Sequence, residues 1–396
     1  MSTPRHAVPL PVRPDRDAIE AFHRAWEAET PLAPLDARLP AAELRRRAAL
    51  VRRHPLPPGS GAPALLLFTS GTTGAPKGVV LSRRAVLEAV EASAARLGWR
   101  RDDRWGLLLS PARAGGAAVI LRCLLAGRPA VPGPARFDPP RVARWIEEEE
   151  ITLLSLVPAQ LSLLFRGLPG WRPPRHLRAV LLGGAAAPPA LLREAAAREV
   201  PVLPTWGMTE TLGQVATVPP GTPPDPAHGS GPPLPGRRVR VRRGRLEVGG
   251  AGLMEGYWPP GLHPDPRDAD GWLRTADLGR LDRRGYVHVL GRADEVIVTG
   301  GEKVHPAGIE RVLRDVPGVA DALVFGLPDP TWGHLLAAGI VPGEGFSRAR
   351  LSAAIARLGP SLRPRKIALV PELPYREGKP DRRGAAGRLG RLLRDP

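Results

Sequence analysis

The ten residues from Thr69 to Gly78 read T-S-G-T-T-G-A-P-K-G, directly behind the apolar run A-L-L-L-F at Ala64 to Phe68. An unbroken apolar run of that length reads as a buried strand. The glycines at 71, 74 and 78 let the following chain turn tightly enough for its N–H groups to approach a polyphosphate. Thr69, Ser70, Thr72 and Thr73 add hydroxyl donors, and Lys77 adds a positive charge. Pro76 before the lysine and Gly78 after it exclude a Walker loop, which needs Gly and then Ser or Thr at those places. A plain Gly/Thr surface turn is the alternative, and it leaves the strand that feeds the loop unexplained.

Further motifs follow in order: L-L-G-G-A-A-A-P from Leu181, T-W-G-M-T-E-T from Thr205, G-W-L-R-T-A-D-L-G from Gly271, G-R-A-D-E-V-I-V-T-G-G-E-K-V from Gly291 and R-E-G-K-P-D-R from Arg376. Chance does not produce six ordered matches. Together they resemble the adenylate-forming superfamily of acyl-CoA synthetases, luciferases and peptide-synthetase adenylation domains, over about residues 61 to 385. L-S-L-V-P-A-Q-L from Leu154, G-P-P-L-P-G-R-R-V from Gly231 and M-E-G-Y-W from Met254 are more similar to one branch, the o-succinylbenzoate-CoA ligases of menaquinone biosynthesis.

The resemblance implies an α/β protein. A large domain of helix-covered sheets with a small β unit spans residues 1–291, a hinge follows at 292–294, and a small mobile α+β domain carrying the catalytic lysine spans 295–396. Local patterns agree in kind. Apolar runs at Leu65 to Phe68, Leu153 to Val157, Ala179 to Leu182 and Val200 to Leu203 alternate with helical stretches at Arg84 to Arg96 and Pro189 to Arg198, which predicts parallel sheets under helices. Strands are expected at Arg238 to Arg242 and Arg245 to Val248, and a compact tail with helices near Ala307 to Asp315 and Arg348 to Leu358. Residues 1 to 60, rich in Pro and Arg, show one helical stretch, Ala41 to Arg53, and relatives carry a longer segment here, so the N-terminal portion is expected to be cut down.

The activity implied is ATP-dependent activation of a carboxylic acid to an acyl-adenylate, followed by transfer to coenzyme A. Lys379 then corresponds to the catalytic lysine between the attacking carboxylate and the α-phosphate. Thr209 and Glu210 correspond to the phosphate contact and the Mg²⁺ ligand, a hard cation suited to one carboxylate plus phosphate oxygens. Thr69, Ser70, Gly71, Thr72, Thr73, Gly74 and Lys77 form the phosphate loop. Gly183, Gly184, Ala185, Trp206 and Gly207 lie against the nucleotide, with Trp206 where the family stacks an aromatic on adenine. Asp277 and Arg292 bind the ribose, Gly301 borders the pantetheine tunnel, and Asp294 is the hinge. Gly308 stands where the family has a glutamate. Arg113, in L-S-P-A-R-A-G-G, takes the place of a family histidine and is expected to hold the second carboxylate of a diacid.

Composition bounds the alternatives. A net charge of +18 would suit a nucleic-acid binder, but the arginines are scattered, aromatics are 5% of residues, and no helix-turn-helix, zinc-finger or stacking pattern is present. No segment approaches eighteen uninterrupted apolar residues, prolines break the N-terminus before a signal core could form, and the expected compartment is the cytosol. The lone Cys123 excludes an internal disulfide and reads as a small core residue. Among 57 Lys plus Arg only Lys77, Lys303, Lys366 and Lys379 are lysine, all at or beside these motifs, so lysine is kept where a compact charge on a flexible stem is needed. The expected partners are ATP, coenzyme A and a small carboxylic acid. A ligase for another aryl or acyl acid, and a degenerate adenylate-binding module, remain the alternatives. Gly250, Gly252 and Gly256 miss the dinucleotide spacing.

Overall fold

The structure is a computed structural model, and it describes residues 6–57, 61–69, 77–376 and 379–394. A five-stranded sheet opens the chain, in the order Val8–Val12, Leu32–Asp36, Pro63–Phe68, Gly78–Ser82 and Gly256–Trp258. Its first three strands are parallel, and the remaining pairings are antiparallel. Parallel sheets throughout were expected, and this sheet is mixed. The reason is local: Phe68 pairs with Gly78 across an antiparallel ladder, so Gly78–Ser82 returns alongside Pro63–Phe68.

The N-terminal portion holds more structure than its sequence suggested. Beyond the expected helix Ala41–Arg53 there are two strands and a second helix, Arg16–Glu27. That helix buries Ala18, Ala21 and Phe22, spaced three and four apart, and Asp15 caps it by accepting from the Ala18 N–H at 2.9 Å. Pro9 and Pro11 disguised the strand Val8–Val12. It is an edge strand, where a missing N–H is tolerated.

A six-stranded sheet runs in the order Gly213–Thr217, Val202–Met208, Ala179–Leu182, Leu153–Leu156, Trp105–Leu107, Ala130–Pro132. All its pairings are parallel except that of the edge strand Gly213–Thr217. Helices Arg83–Leu97 and Ala114–Ala126 lie in the core between the two sheets, where Leu65, Leu81, Val86, Ile120, Leu181 and Leu203 pack together. Ala114–Ala126 is apolar except for Arg122, whose guanidinium lies 5.3 Å from the centroid of the Trp105 ring, and Gly116 through Cys123 are all buried, as in a helix enclosed by two sheets. Helices Pro139–Glu148, Pro158–Gly167 and Pro189–Ala197 cover the opposite face through Ile146, Leu161 and Leu191.

Four antiparallel strands, Arg237–Arg242, Arg245–Gly250, Leu273–Leu281 and Val287–Arg292, make the small β unit. The tail follows as expected in kind. It consists of a hairpin of Ile297–Thr299 with Glu302–Val304, a sheet of Val319–Asp329, Gly333–Pro342 and Lys366–Leu369, and helices Pro306–Arg314, Arg348–Ala356 and Arg382–Leu389. Among the described residues no helix is long and apolar enough to cross a membrane.

Candidate active site

Ligands of α/β sheets bind beyond the carboxyl ends of parallel strands. Gly183, Gly184 and Ala185 follow the end of Ala179–Leu182, and Trp206 to Glu210 run off the end of Val202–Met208. Gly184 takes φ +81, and Gly183 faces Thr205 so closely that a Cβ would lie 2.7 Å from its methyl carbon. Gly207 is more constrained still. A Cβ there would sit 1.9 Å from the Gly213 carbonyl oxygen, so only glycine lets the strand pair with its antiparallel neighbour.

Thr209 and Glu210 lie in the 3-10 turn Thr209–Thr211, which is pinned from several sides. The Thr211 hydroxyl donates to the Gly213 carbonyl at 2.8 Å, and the buried Arg237 donates to the Thr211 carbonyl at 3.2 Å and to the Ala251 carbonyl. Burial holds the Arg237 guanidinium down at about 10, still charged at neutral pH. Met254 N–H donates to the Glu210 carbonyl at 2.9 Å, which joins this turn to the segment leading into Gly256–Trp258.

That strand delivers Tyr257. Its hydroxyl donates to Glu210 Oε1 at 2.8 Å, and the Lys77 ammonium sits over its ring, 3.4 Å from the centroid. Burial, together with the Glu210 charge, pushes the Tyr257 phenol well above its ordinary range, so it remains a donor. Burial also lowers Lys77, opposed by the charges of Glu210 and Asp294 and reinforced by that of Arg292. Thr69 closes the loop. Its N–H and its hydroxyl reach the Lys77 carbonyl at 2.9 and 3.3 Å. Ser70, Gly71, Thr72, Thr73 and Gly74 lie outside the described residues.

The β unit adds the third wall. The Trp206 indole N–H donates to Asp277 Oδ2 at 2.7 Å, and Arg292 Nη1 donates to Asp277 Oδ1 at 3.1 Å, from directly paired positions on neighbouring strands. Arg292 also grips both oxygens of Asp294, at 2.8 and 2.7 Å. Burial works against its charge, but the Asp294 hydrogen bond and the charges of Asp277, Asp294 and Glu295 outweigh that and raise it further. Trp206 is 6% exposed, and its indole N–H is engaged by Asp277. Thr69, Lys77, Trp206, Glu210, Asp277, Arg292 and Asp294 are thus linked through direct contacts or through the charges acting on Lys77.

Two expected residues lie on the tail. Gly301 (φ +82) follows Gly300 (φ +55) in the two-residue turn of the hairpin Ile297–Thr299 and Glu302–Val304, where only residues tolerating positive φ fit. Lys379 pairs with Arg376 in a short ladder, and its side chain lies outside what the structure describes. Three residues on, Arg382 donates to Glu295 at 3.0 Å and to the buried Glu310, tying this segment to the turn that contains Asp294. Gly308 lies in helix Pro306–Arg314 with open space where a side chain would project.

Arg113 stands at the N-terminus of helix Ala114–Ala126. It donates to the Phe68 carbonyl at 3.3 Å, and its charge, with the Arg38 hydrogen bonds, overcomes burial to hold the Asp36 carboxyl below its ordinary range. Tyr257 and Arg237 were not singled out from sequence. One signal was available for Tyr257, since the chain contains only three tyrosines and this one sits inside M-E-G-Y-W.

The family described as AMP-binding enzyme matches residues 27–258, more than half of the chain. The chain belongs to the AMP-binding enzyme family. The family's C-terminal domain matches residues 308–379 as well. Among curated relatives, a 2-succinylbenzoate--CoA ligase of Bacillus licheniformis is 34% identical over 299 residues, 73% of this AMP-binding enzyme and 62% of the relative. The chain therefore spans about three fifths of that relative's length. Among solved structures, o-succinylbenzoate CoA synthetase from Bacillus subtilis in complex with the acyl-adenylate intermediate OSB-AMP superposes with a TM-score of 0.72 at 30% identity, covering 89% of this chain and 74% of that one. ATP-bound MatB from Rhodopseudomonas palustris superposes at 0.82 with 24% identity over 97% and 88% of the two chains, a likeness of fold. These matches bear out the α/β fold with a small C-terminal domain.

Proposed function

We propose that this AMP-binding enzyme is an ATP-dependent acid-CoA ligase of the cytoplasm, converting o-succinylbenzoate to its CoA thioester for menaquinone biosynthesis. One observation carries the reading. Lys77, at the end of the loop it closes with Thr69, lies within the fields of Glu210 and Arg292, and Arg292 in turn holds Asp277, so a cation, a carboxylate able to hold a metal and an acceptor for ribose hydroxyls are linked in one site.

In the first step a substrate carboxylate oxygen attacks the α-phosphorus and the bond to pyrophosphate breaks, so the protein's work is positioning and charge stabilisation. Lys77 and the loop N–H groups receive the β- and γ-phosphates. Asp277, already accepting from Trp206 and Arg292, has lone pairs for the ribose hydroxyls. Lys379 answers the charge shared by the attacking carboxylate and the α-phosphate. Glu210, one oxygen of which accepts from Tyr257, fits Mg²⁺ held jointly with phosphate oxygens, and among the described residues no group of three or more His, Cys, Asp or Glu offers an all-protein cage. That ion would neutralise phosphate charge when bound.

For the second step the tail turns about Asp294 and brings Gly301 to the adenylate, where the CoA thiol attacks the acyl carbon and AMP leaves. A cleft of about 580 Å³ beside this turn, lined by Gly300, Trp332, Arg363, Arg365 and Lys366, joins an exposed indole to a cluster of cations, which suits the phosphorylated nucleotide end of coenzyme A.

Arg113 is assigned to the second carboxylate of the diacid. A ligase for a different aryl or acyl acid is the second reading, favoured by Asp36, a carboxylate that already lies in the field of Arg113. Thioester formation across a panel of carboxylic acids decides. Under the first reading o-succinylbenzoate leads, and Arg113→Ala lowers its kcat/KM by roughly thirty-fold while sparing a monocarboxylate analogue, the loss expected for a charged hydrogen bond. Preference for a monocarboxylate by the unaltered protein selects the second.

A further inference from the structure

Tyr257 has no role in the chemistry above, yet it touches both polar groups that flank the phosphates. It lies on the strand Gly256–Trp258 and pairs with Val79, two residues beyond Lys77, so its ring lies beside the end of the phosphate loop. The Lys77 ammonium rests 3.4 Å from the ring centroid, and the phenol hydroxyl donates to Glu210 Oε1 at 2.8 Å. His263 packs edge-on against the same ring, with centroids 6.1 Å apart. One side chain therefore spans from the loop cation to the carboxylate.

We propose that Tyr257 is a positioning residue that seats Lys77 on its ring face and fixes Glu210 through its hydroxyl, so that cation and carboxylate are set before Mg·ATP arrives. Lysine carries its charge on a four-carbon stem, and the aromatic face narrows where that charge can lie. A carboxylate with one oxygen engaged turns the other toward a fixed direction, which suits a metal that demands close octahedral geometry. The two functions are chemically separable, since one uses the ring and the other the oxygen. This inference rests on the assignment of Lys77 and Glu210 to ATP.

Calorimetric titration with ATP, in EDTA and across a Mg²⁺ series without acid or coenzyme A, separates them. Tyr257→Phe keeps the ring and should leave metal-free ATP affinity within two-fold of the parent, while the Mg²⁺ concentration for half-maximal enhancement of binding rises at least five-fold. In a Glu210→Gln background, which already lacks the carboxylate that the hydroxyl fixes, Tyr257→Phe should add less than two-fold to the loss of Mg²⁺ enhancement. Tyr257→Leu should also weaken metal-free ATP binding at least five-fold. A parental Mg²⁺ dependence in the folded Phe variant would overturn the link to Glu210, and equal metal-free affinities for the Phe and Leu variants would overturn the link to Lys77. Failure of the parent protein to bind ATP in any condition would overturn the ligase assignment beneath them both.

Discussion

A carboxylate acquires a role from what holds it, and Glu210 and Asp277 are each held from outside their own elements. Glu210 is tethered by Tyr257, and Asp277 by Trp206 and Arg292. Sequence pattern named both acids because they sit in ordered motifs, but it did not assign a role to Tyr257 or Arg237, whose partners are 47 and 26 residues away. Contacts of that range follow from how three sheets meet and leave no local periodicity to read. The same limit applies to Trp206, whose motif suggested a face for adenine and whose indole N–H proves to be committed to Asp277. At this scale Lys379 gives a sharp expectation. On the proposed ligase reading its charge is needed only while pyrophosphate departs, so Lys379→Ala should slow adenylate formation by about 10²-fold or more and leave thioester formation from supplied acyl-adenylate near the parent rate. Single-turnover assays of the two half-reactions check this, and equal loss in both would remove the assignment.

Elements were legible where periodicity was strong. The helix Ala41–Arg53 begins and ends where its sequence predicts, and Arg238 to Arg242 and Arg245 to Val248 sit within strands Arg237–Arg242 and Arg245–Gly250. The helix Arg16–Glu27 escaped because flanking prolines lowered the local signal, although its buried residues keep helical spacing. What fixes the six-stranded sheet at its far end was equally hidden. Asp103 is 1% exposed and receives both arms of the Arg178 guanidinium at 2.7 and 2.5 Å, the Thr152 hydroxyl at 2.9 Å and the Arg100 N–H at 2.7 Å. Burial raises its carboxyl, but these donors and the Arg178 charge outweigh it, and the folded pKa lies below the ordinary value. The stabilisation is therefore complete above the unfolded value of about 4 and is lost as pH falls through the folded one. Asp103→Ala should cost about 3 kcal/mol, since it strands a buried guanidinium. In urea titrations Asp103→Asn should also flatten the fall in stability below about pH 4, and an unchanged acid slope would show that this pair does not govern it.

In the whole molecule, the candidate site is built where three sheets converge, and the proposed function adds a tail that carries its own lysine. The mixed five-stranded sheet supplies the loop and Tyr257, the parallel sheet supplies Trp206 and Glu210, and the antiparallel unit supplies Asp277 and Arg292. Motif order made this convergence legible, because a family's motifs keep their places when the chain between them changes. The pairing of strands was less legible. An apolar run such as Leu65 to Phe68 reads the same whether its neighbours run parallel or antiparallel, and only its register with Gly78–Ser82 decides it. The Arg382 contacts to Glu295 and Glu310 likewise join segments more than 70 residues apart, and they place the Lys379 ladder beside the turn at Ala293–Glu295. The central claim is that this convergence activates an acid with ATP, and isotope exchange between pyrophosphate and ATP tests it without coenzyme A. Exchange should require o-succinylbenzoate, Mg²⁺ and Lys379 together; ATP binding without any acid-dependent exchange, across the carboxylic acid panel, would contradict it.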